Sequence, residues 1–180
     1  MAHQEQIQFC NKIKNIFPNF FIYKKILDVG SLDINGNNRY LFDNCIYTGI
    51  DVAPGNNVDI VTLGHEFKGE NNFYDVIIST ECFEHDMHYN KTIKNIIRML
   101  KPGGLFLFTC ATTGRREHGT IRSSPADAPL LNNLPDWCDY YKNLTEKDIK
   151  DIISLENIFD KYEFSTNDHS HDLYFYGIKK

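Results

Sequence analysis

The sequence predicts an α/β protein: a mostly parallel seven-stranded sheet in a three-layer sandwich, closed by an antiparallel hairpin at the C-terminus. Three observations carry this. Short apolar runs ending in glycine or in a polar cluster recur between residues 25 and 108, as expected of strands buried on both faces. Helical periodicity separates several of them, and strands alternating with helices build parallel sheets. Two aromatic-rich segments joined by a polar turn, 158–165 and 172–178, supply the hairpin.

Each element has its own signal. Phe9, Ile13, Ile16 and Phe17 share one helical face, so a helix is expected over 4–17, ended by Pro18. Lys25-Ile26-Leu27-Asp28-Val29, bounded by Gly30, is the first strand, and Ile46 to Ile50, ending at Asp51, the second. Val58 to Val61 is a weaker third. Only Ala53 to Asn57 separates it from the second, whereas a helical crossover needs about a dozen residues. Either the third strand is short and reached by an extended connection, or it is no strand.

Tyr74 to Ile78 and Leu105 to Phe108 are the strong fourth and fifth strands. The helix between them carries Ile93, Ile96, Ile97 and Leu100 on one face and is stopped by Lys101-Pro102-Gly103-Gly104. Thr145 and Asp148 form a capping box, with Leu144 and Ile149 as a hydrophobic staple, for a helix continuing through Ile152 and Ile153.

At 180 residues the chain makes one domain, with 42% hydrophobic and 24% charged residues. A net charge of −5 without a basic block argues against long nucleic acids as partners. The five scattered cysteines have no C-x-x-C pair and no metal-ligand spacing, which suits reduced thiols and a cytoplasmic location. No signal sequence or membrane span is expected, since no apolar run approaches the ~18 residues a membrane helix needs.

Ligands of open α/β sheets bind beyond the carboxyl ends of the strands. The first strand ends in Asp28-Val29-Gly30-Ser31-Leu32-Asp33-Ile34-Asn35-Gly36, a turn in which glycine admits a ligand close to the backbone. The second ends in Asp51, whose carboxylate can accept both hydrogen bonds of a ribose diol. The fourth runs into Ser79-Thr80-Glu81-Cys82-Phe83-Glu84-His85-Asp86.

In this order, Ile26-Leu27-Asp28-Val29-Gly30 with Gly36, Tyr47 to Asp51, Phe73 to Ser79, Glu84-His85 and Leu100-Lys101-Pro102-Gly103-Gly104 resemble the Rossmann-like methyltransferases that use S-adenosylmethionine (SAM). The resemblance covers roughly residues 24–112. It implies that Asp28 and Gly30, with Ser31 and Gly36, line the methionine end of SAM. Asp51, with Val52 beside it, would hold the ribose, and Ser79 and Glu81 the methionyl amino group. Two departures stand out: the glycine turn is stretched, and Leu63 replaces the acidic residue that commonly binds adenine. Backbone groups of Leu63 and Gly64 would then serve the base. A nicotinamide dinucleotide is the alternative cofactor, because Asp51 lies 21 residues after Gly30, but G-x-G-x-x-G is absent. A SAM-binding module without catalysis would carry the same motifs.

Residues 112–142 form a long connection leaving a central strand, as expected of a lid over a substrate. The cofactor half is thus expected at about 20–112 and the lid at about 112–142. A small-molecule or glycan acceptor is expected, with a sugar hydroxyl favoured by the similarity of the lid and of the Ser79 to Asp86 stretch to glycan-modifying methyltransferases. Other small O- or N-acceptors are the alternative. An alcohol acceptor needs a general base, for which His118 is the first candidate and His85, Asp86 and Asp127 the others. Arg115, Arg116 and Arg122 are placed to pair an anionic group on the substrate. Asp86, His118 and Asp127 are the groups a divalent ion would use, but no spacing supports one and no metal is expected.

Overall fold

Successive side chains of a strand point to opposite faces, and the central strands of this protein use that alternation to build two cores. In the computed structural model, which describes residues 3–180, seven strands form one sheet. They are β1 (Lys25–Val29), β2 (Ile46–Asp51), β3 (Ile60–Val61), β4 (Tyr74–Thr80), β5 (Leu100–Ala111), β6 (Phe159–Asn167) and β7 (Asp172–Lys179). Their order is β3-β2-β1-β4-β5-β7-β6, with β1 to β5 parallel and β7 antiparallel to both its neighbours.

On one face, Ile26, Val76, Ile78, Leu105 and Leu107 pack beneath α1 (Gln4–Ile16). That helix buries Gln6, Phe9, Cys10 and Ile13, a single stripe, and Phe9 stacks on Tyr174 with ring centroids 4.6 Å apart. On the other face, Leu27, Ile77, Phe106 and Phe108 meet Ile93, Ile96 and Met99 of α2 (Tyr89–Met99). The expected sandwich and hairpin are both present. Among the described residues, no helix is long and apolar enough to cross a membrane.

Three details differ from, or resolve, the sequence expectations. The third strand exists but has only two residues. The Asp59 carboxylate takes the Gly49 N–H at 2.7 Å, so side chain rather than ladder satisfies that donor, and pairing begins at Ile60. Lys101-Pro102-Gly103-Gly104 is not a loop between helix and strand. Leu100 already pairs with Tyr74, and the four residues form an irregularity inside β5 that Gly103 turns with φ +73°. Finally, the capping box of Thr145 and Asp148 opens only a short α3 (Glu146–Lys150), followed by α4 (Leu155–Ile158). Ile153 and Leu155 are both buried, and residues two apart cannot share a helical face, so the chain breaks between them.

Candidate active site

The order of the strands reverses between β1 and β4, and there a cavity of about 420 Å³ opens at their carboxyl ends, a size suited to a small molecule. Its floor begins at the turn after β1. Gly30 adopts φ +80°, which carries the chain sharply over the end of β2, so that the Gly30 and Ser31 N–H groups both donate to the Ile50 carbonyl, at 2.9 and 3.1 Å. Ser31 Oγ donates to the Asn57 carbonyl at 3.1 Å, tying this turn to the connection before β3.

Three carboxylates face the cavity from three strand ends. Asp51 accepts the Leu32 N–H on one oxygen at 3.0 Å and the Val52 N–H on the other at 2.8 Å, so its plane is fixed while each oxygen keeps a lone pair. Burial pushes its carboxyl above the ordinary range against those two bonds. Asp28 is buried beneath the turn and accepts from the Tyr47 hydroxyl and the Asn38 amide. Burial, only partly offset by those donors, lifts it to about 7. Glu81, in the left-handed region at φ +51°, receives the Thr109 hydroxyl at 2.8 Å on one oxygen. Burial would raise its carboxyl, but the His3 imidazole 3.4 Å from its other oxygen holds it below the ordinary range.

The opposite wall comes from the β4–α2 connection and from the segment after β5. Asp86 accepts the His88 N–H at 2.7 Å and the Thr92 hydroxyl at 2.5 Å, and burial raises its carboxyl. His85 is driven down to about 3 by burial and by the neighbouring His118. Asp127 to Leu131 and Trp137 close the cavity from the lid side.

Of the expected cofactor residues, Asp28, Gly30, Ser31, Gly36, Asp51, Val52, Gly64 and Glu81 line the cavity. Leu63 and Ser79 are not among the lining residues. The Leu63 carbonyl is spent on the Glu66 and Phe67 N–H groups of a turn, and the Ser79 hydroxyl donates to the Val29 carbonyl at 2.8 Å, inside the sheet. Of the four candidate bases, His85, Asp86 and Asp127 line the wall. His118 stands behind His85, edge to face, with centroids 5.0 Å apart. Among the described residues, Asp86 and Asp127 do not group with His118, so the three groups a divalent ion would use are not together. Arg115 is paired with Asp172 at 3.2 Å, and Arg122 with Glu117 and Asp139, so neither is free for a substrate anion.

The cavity also uses Gln6, Ile7, Asn38 and Tyr40, which sequence reasoning missed. For Gln6 a signal existed: a polar residue four before Cys10 and seven before Ile13, on the buried stripe of an amphipathic helix.

The wall fits the SAM that the resemblance implies. Among the described residues, Gln6 Oε1 is buried without a hydrogen-bond partner and Glu81 Oε2 has only the His3 imidazole at 3.4 Å; both residues line the cavity, able to accept from a cationic amino group. The Gly30 cradle admits nothing larger: a Cβ there would lie 2.4 Å from Cys82 Sγ. Asp28, Gly30 and Glu81 would hold the methionyl part, and Asp51 the ribose hydroxyls.

A family model described as "Methyltransferase domain" matches residues 1–166. No curated protein sequence matches the chain. Among solved structures, the chain is similar to the 1,6-didemethyltoxoflavin-N1-methyltransferase of Burkholderia thailandensis, which binds 1,6-didemethyltoxoflavin and S-adenosylhomocysteine. The TM-score is 0.66 at 14% identity, over 97% of this chain and 78% of that one. It is also similar to a putative SAM-dependent methyltransferase of Methanococcus maripaludis (TM-score 0.62, 17% identity, 96% and 84% covered). A phosphoethanolamine N-methyltransferase of Haemonchus contortus in complex with SAM gives a TM-score of 0.61 at 19% identity. That match covers 94% of this chain and 52% of the Haemonchus chain, so the protein spans about half that enzyme's length.

Proposed function

This chain belongs to the methyltransferase-domain family and is a SAM-dependent methyltransferase, and from that premise we propose that it O-methylates a hydroxyl of a sugar or glycan. The observation that carries the proposal is the make-up of the acceptor wall. Asp86, Asp127 and His85 offer hydrogen-bond acceptors, while Trp137 offers a flat apolar ring. A saccharide presents hydroxyl donors at its edge and an apolar C–H face, which suits that combination.

When bound, SAM supplies a methyl carbon on a sulfonium: a C–O bond forms as the C–S bond breaks, and its electron pair leaves on sulfur. Within that reaction, the chain's residues position the acceptor and take its proton. Positioning alone is worth ~7–11 kcal/mol of barrier. Asp86 is the general base: it lines the cavity, and its raised proton affinity suits accepting a proton from a hydroxyl. His118 acts from behind the wall rather than on it. We assign about 20–112 to cofactor binding and about 112–142 to the lid. The free cysteines among the described residues support a reducing, cytoplasmic setting.

The carboxylate wall also suits an amine, and two of the similar structures are N-methyltransferases. An acceptor screen separates the readings. Protein and SAM are incubated with neutral saccharides, sugar phosphates and small amines, and products are located by mass spectrometry and NMR. A methyl ether on a neutral saccharide is expected. Methylated amines with no methylated saccharide would overturn the O-methylation reading in favour of N-transfer.

A further inference from the structure

A second polar cluster reaches back from the acceptor wall, and of its members only His85 lines the cavity. Glu84 and His85 come from the β4–α2 connection, His118 from the start of the lid and Tyr141 from its end. Glu84 is fully buried and His85 is 6% exposed. Among the described residues, both Glu84 oxygens, both His85 ring nitrogens and the Tyr141 hydroxyl are buried without a hydrogen-bond partner. Buried polar groups are almost always satisfied. Five such atoms on Glu84, His85 and Tyr141, the last two with rings 5.6 Å apart, call for a partner.

We propose that Glu84, His85 and His118 bind a divalent transition-metal ion of the Zn²⁺ class, and that this ion pins the lid to the core. One ligand atom from each of the three residues lies within 4.8 Å of the others. Around a tetrahedral Zn²⁺ with bonds of about 2.0–2.2 Å the ligand atoms sit roughly 3.3–3.6 Å apart, so side-chain adjustment of up to about 1.5 Å closes the set. Two imidazoles and one carboxylate are a ligand set that Zn²⁺ favours. His118 is already oriented for the task. Its Nδ1 lies 3.1 Å from the Arg116 carbonyl, an acceptor that fixes the proton on Nδ1 and leaves the Nε2 lone pair free. Among the described residues, the Arg115 guanidinium is occupied by the Ser170 carbonyl at 2.5 Å and by Asp172 at 3.2 Å.

The origin of the ligands gives the ion its effect. Two belong to the core and one to the lid, and Tyr141 brings the far end of the lid to the same place, its ring 5.0 Å from His118 and 5.6 Å from His85. Binding here joins the two ends of the lid to the turn that also carries Asp86. The inference does not depend on the acceptor being a sugar.

The test uses the full chain without acceptor. Metal-stripped protein is titrated with Zn²⁺ by calorimetry and with Co²⁺ by visible absorption, followed by limited proteolysis with and without Zn²⁺. Saturation at one equivalent, a tetrahedral Co²⁺ spectrum and Zn²⁺-dependent protection of residues 112–142 are expected. Losing a direct ligand in Glu84→Gln or His118→Ala weakens Zn²⁺ binding by at least the roughly 10–100-fold that losing an outer partner costs. SAM binding serves as the folding control, because neither residue lines the cavity. No stoichiometric binding by the folded wild type, or affinity unchanged in both variants, overturns the proposal. Should both variants fail to fold, the wild-type Co²⁺ spectrum and lid protection still decide.

Discussion

A Cβ placed on Gly30 would lie 2.4 Å from Sγ and 2.6 Å from Cβ of Cys82. The turns after β1 and β4 thus touch with no room for a methyl group, and Gly30 holds φ +80° as well. Gly30→Ala adds overpacking to backbone strain and should cost roughly 2–4 kcal/mol, read as a lower Tm. Adding Cys82→Gly should return the packing part and leave the φ part. A Gly30→Ala protein as stable as wild type would contradict this packing.

Asp86 lines the cavity and is the base in the proposed reaction. Asp86→Asn keeps the shape and removes the base, so kcat should fall by about 10²–10⁴ while SAM affinity changes little. Calorimetry and steady-state kinetics on the same preparation check both halves. A variant with near-normal kcat would pass the role to Asp127 or His85.

The Ser79 hydroxyl donates to the Val29 carbonyl and does not reach the cavity. Ser79→Ala should therefore lower stability by about 1 kcal/mol and leave the Kd for SAM unchanged. A large loss of SAM affinity with unchanged Tm would restore Ser79 to the cofactor site.

Asp28 gives a pH signature to the cofactor-free protein. Burial raises its folded carboxyl from 3.8 to about 7, so the folded chain holds this proton more tightly than the unfolded one. Its contribution to stability is whole below the unfolded value and is lost as pH rises through about 7. The Tm of wild type minus that of Asp28→Asn should accordingly fall between about pH 4 and pH 7 and level off above. A difference that rises over that range would show the carboxyl to be depressed instead.

The strands and the order of their motifs were legible because buried parallel strands are written locally, as in Ile26 to Val29 and Val76 to Ile78. The short β3 was half-legible. The scarcity of residues before it ruled out a helix, but the side-chain bond from Asp59 that shortens it is a tertiary event. The lining of the cavity was legible at Asp28, Gly30, Asp51 and Glu81, which sit where strands stop. Ser79 misled because its position in the chain is right while its side chain turns into the sheet. Glu84, His85, His118 and Tyr141 lie up to 57 residues apart in sequence, and only the course of the lid brings them together. No spacing rule finds such a set.

The most direct test of the cofactor site is a calorimetric titration of wild type and Asp51→Ala with SAM and with NAD. Asp51 would accept two hydrogen bonds from the ribose, each worth about 1.5–3 kcal/mol to a charged group. Wild type should bind SAM and not NAD, and the variant should bind SAM at least tenfold more weakly, allowing for water in place of the lost carboxylate. Wild-type affinity in the variant, or binding of NAD in preference to SAM, would contradict the assignment of this cavity.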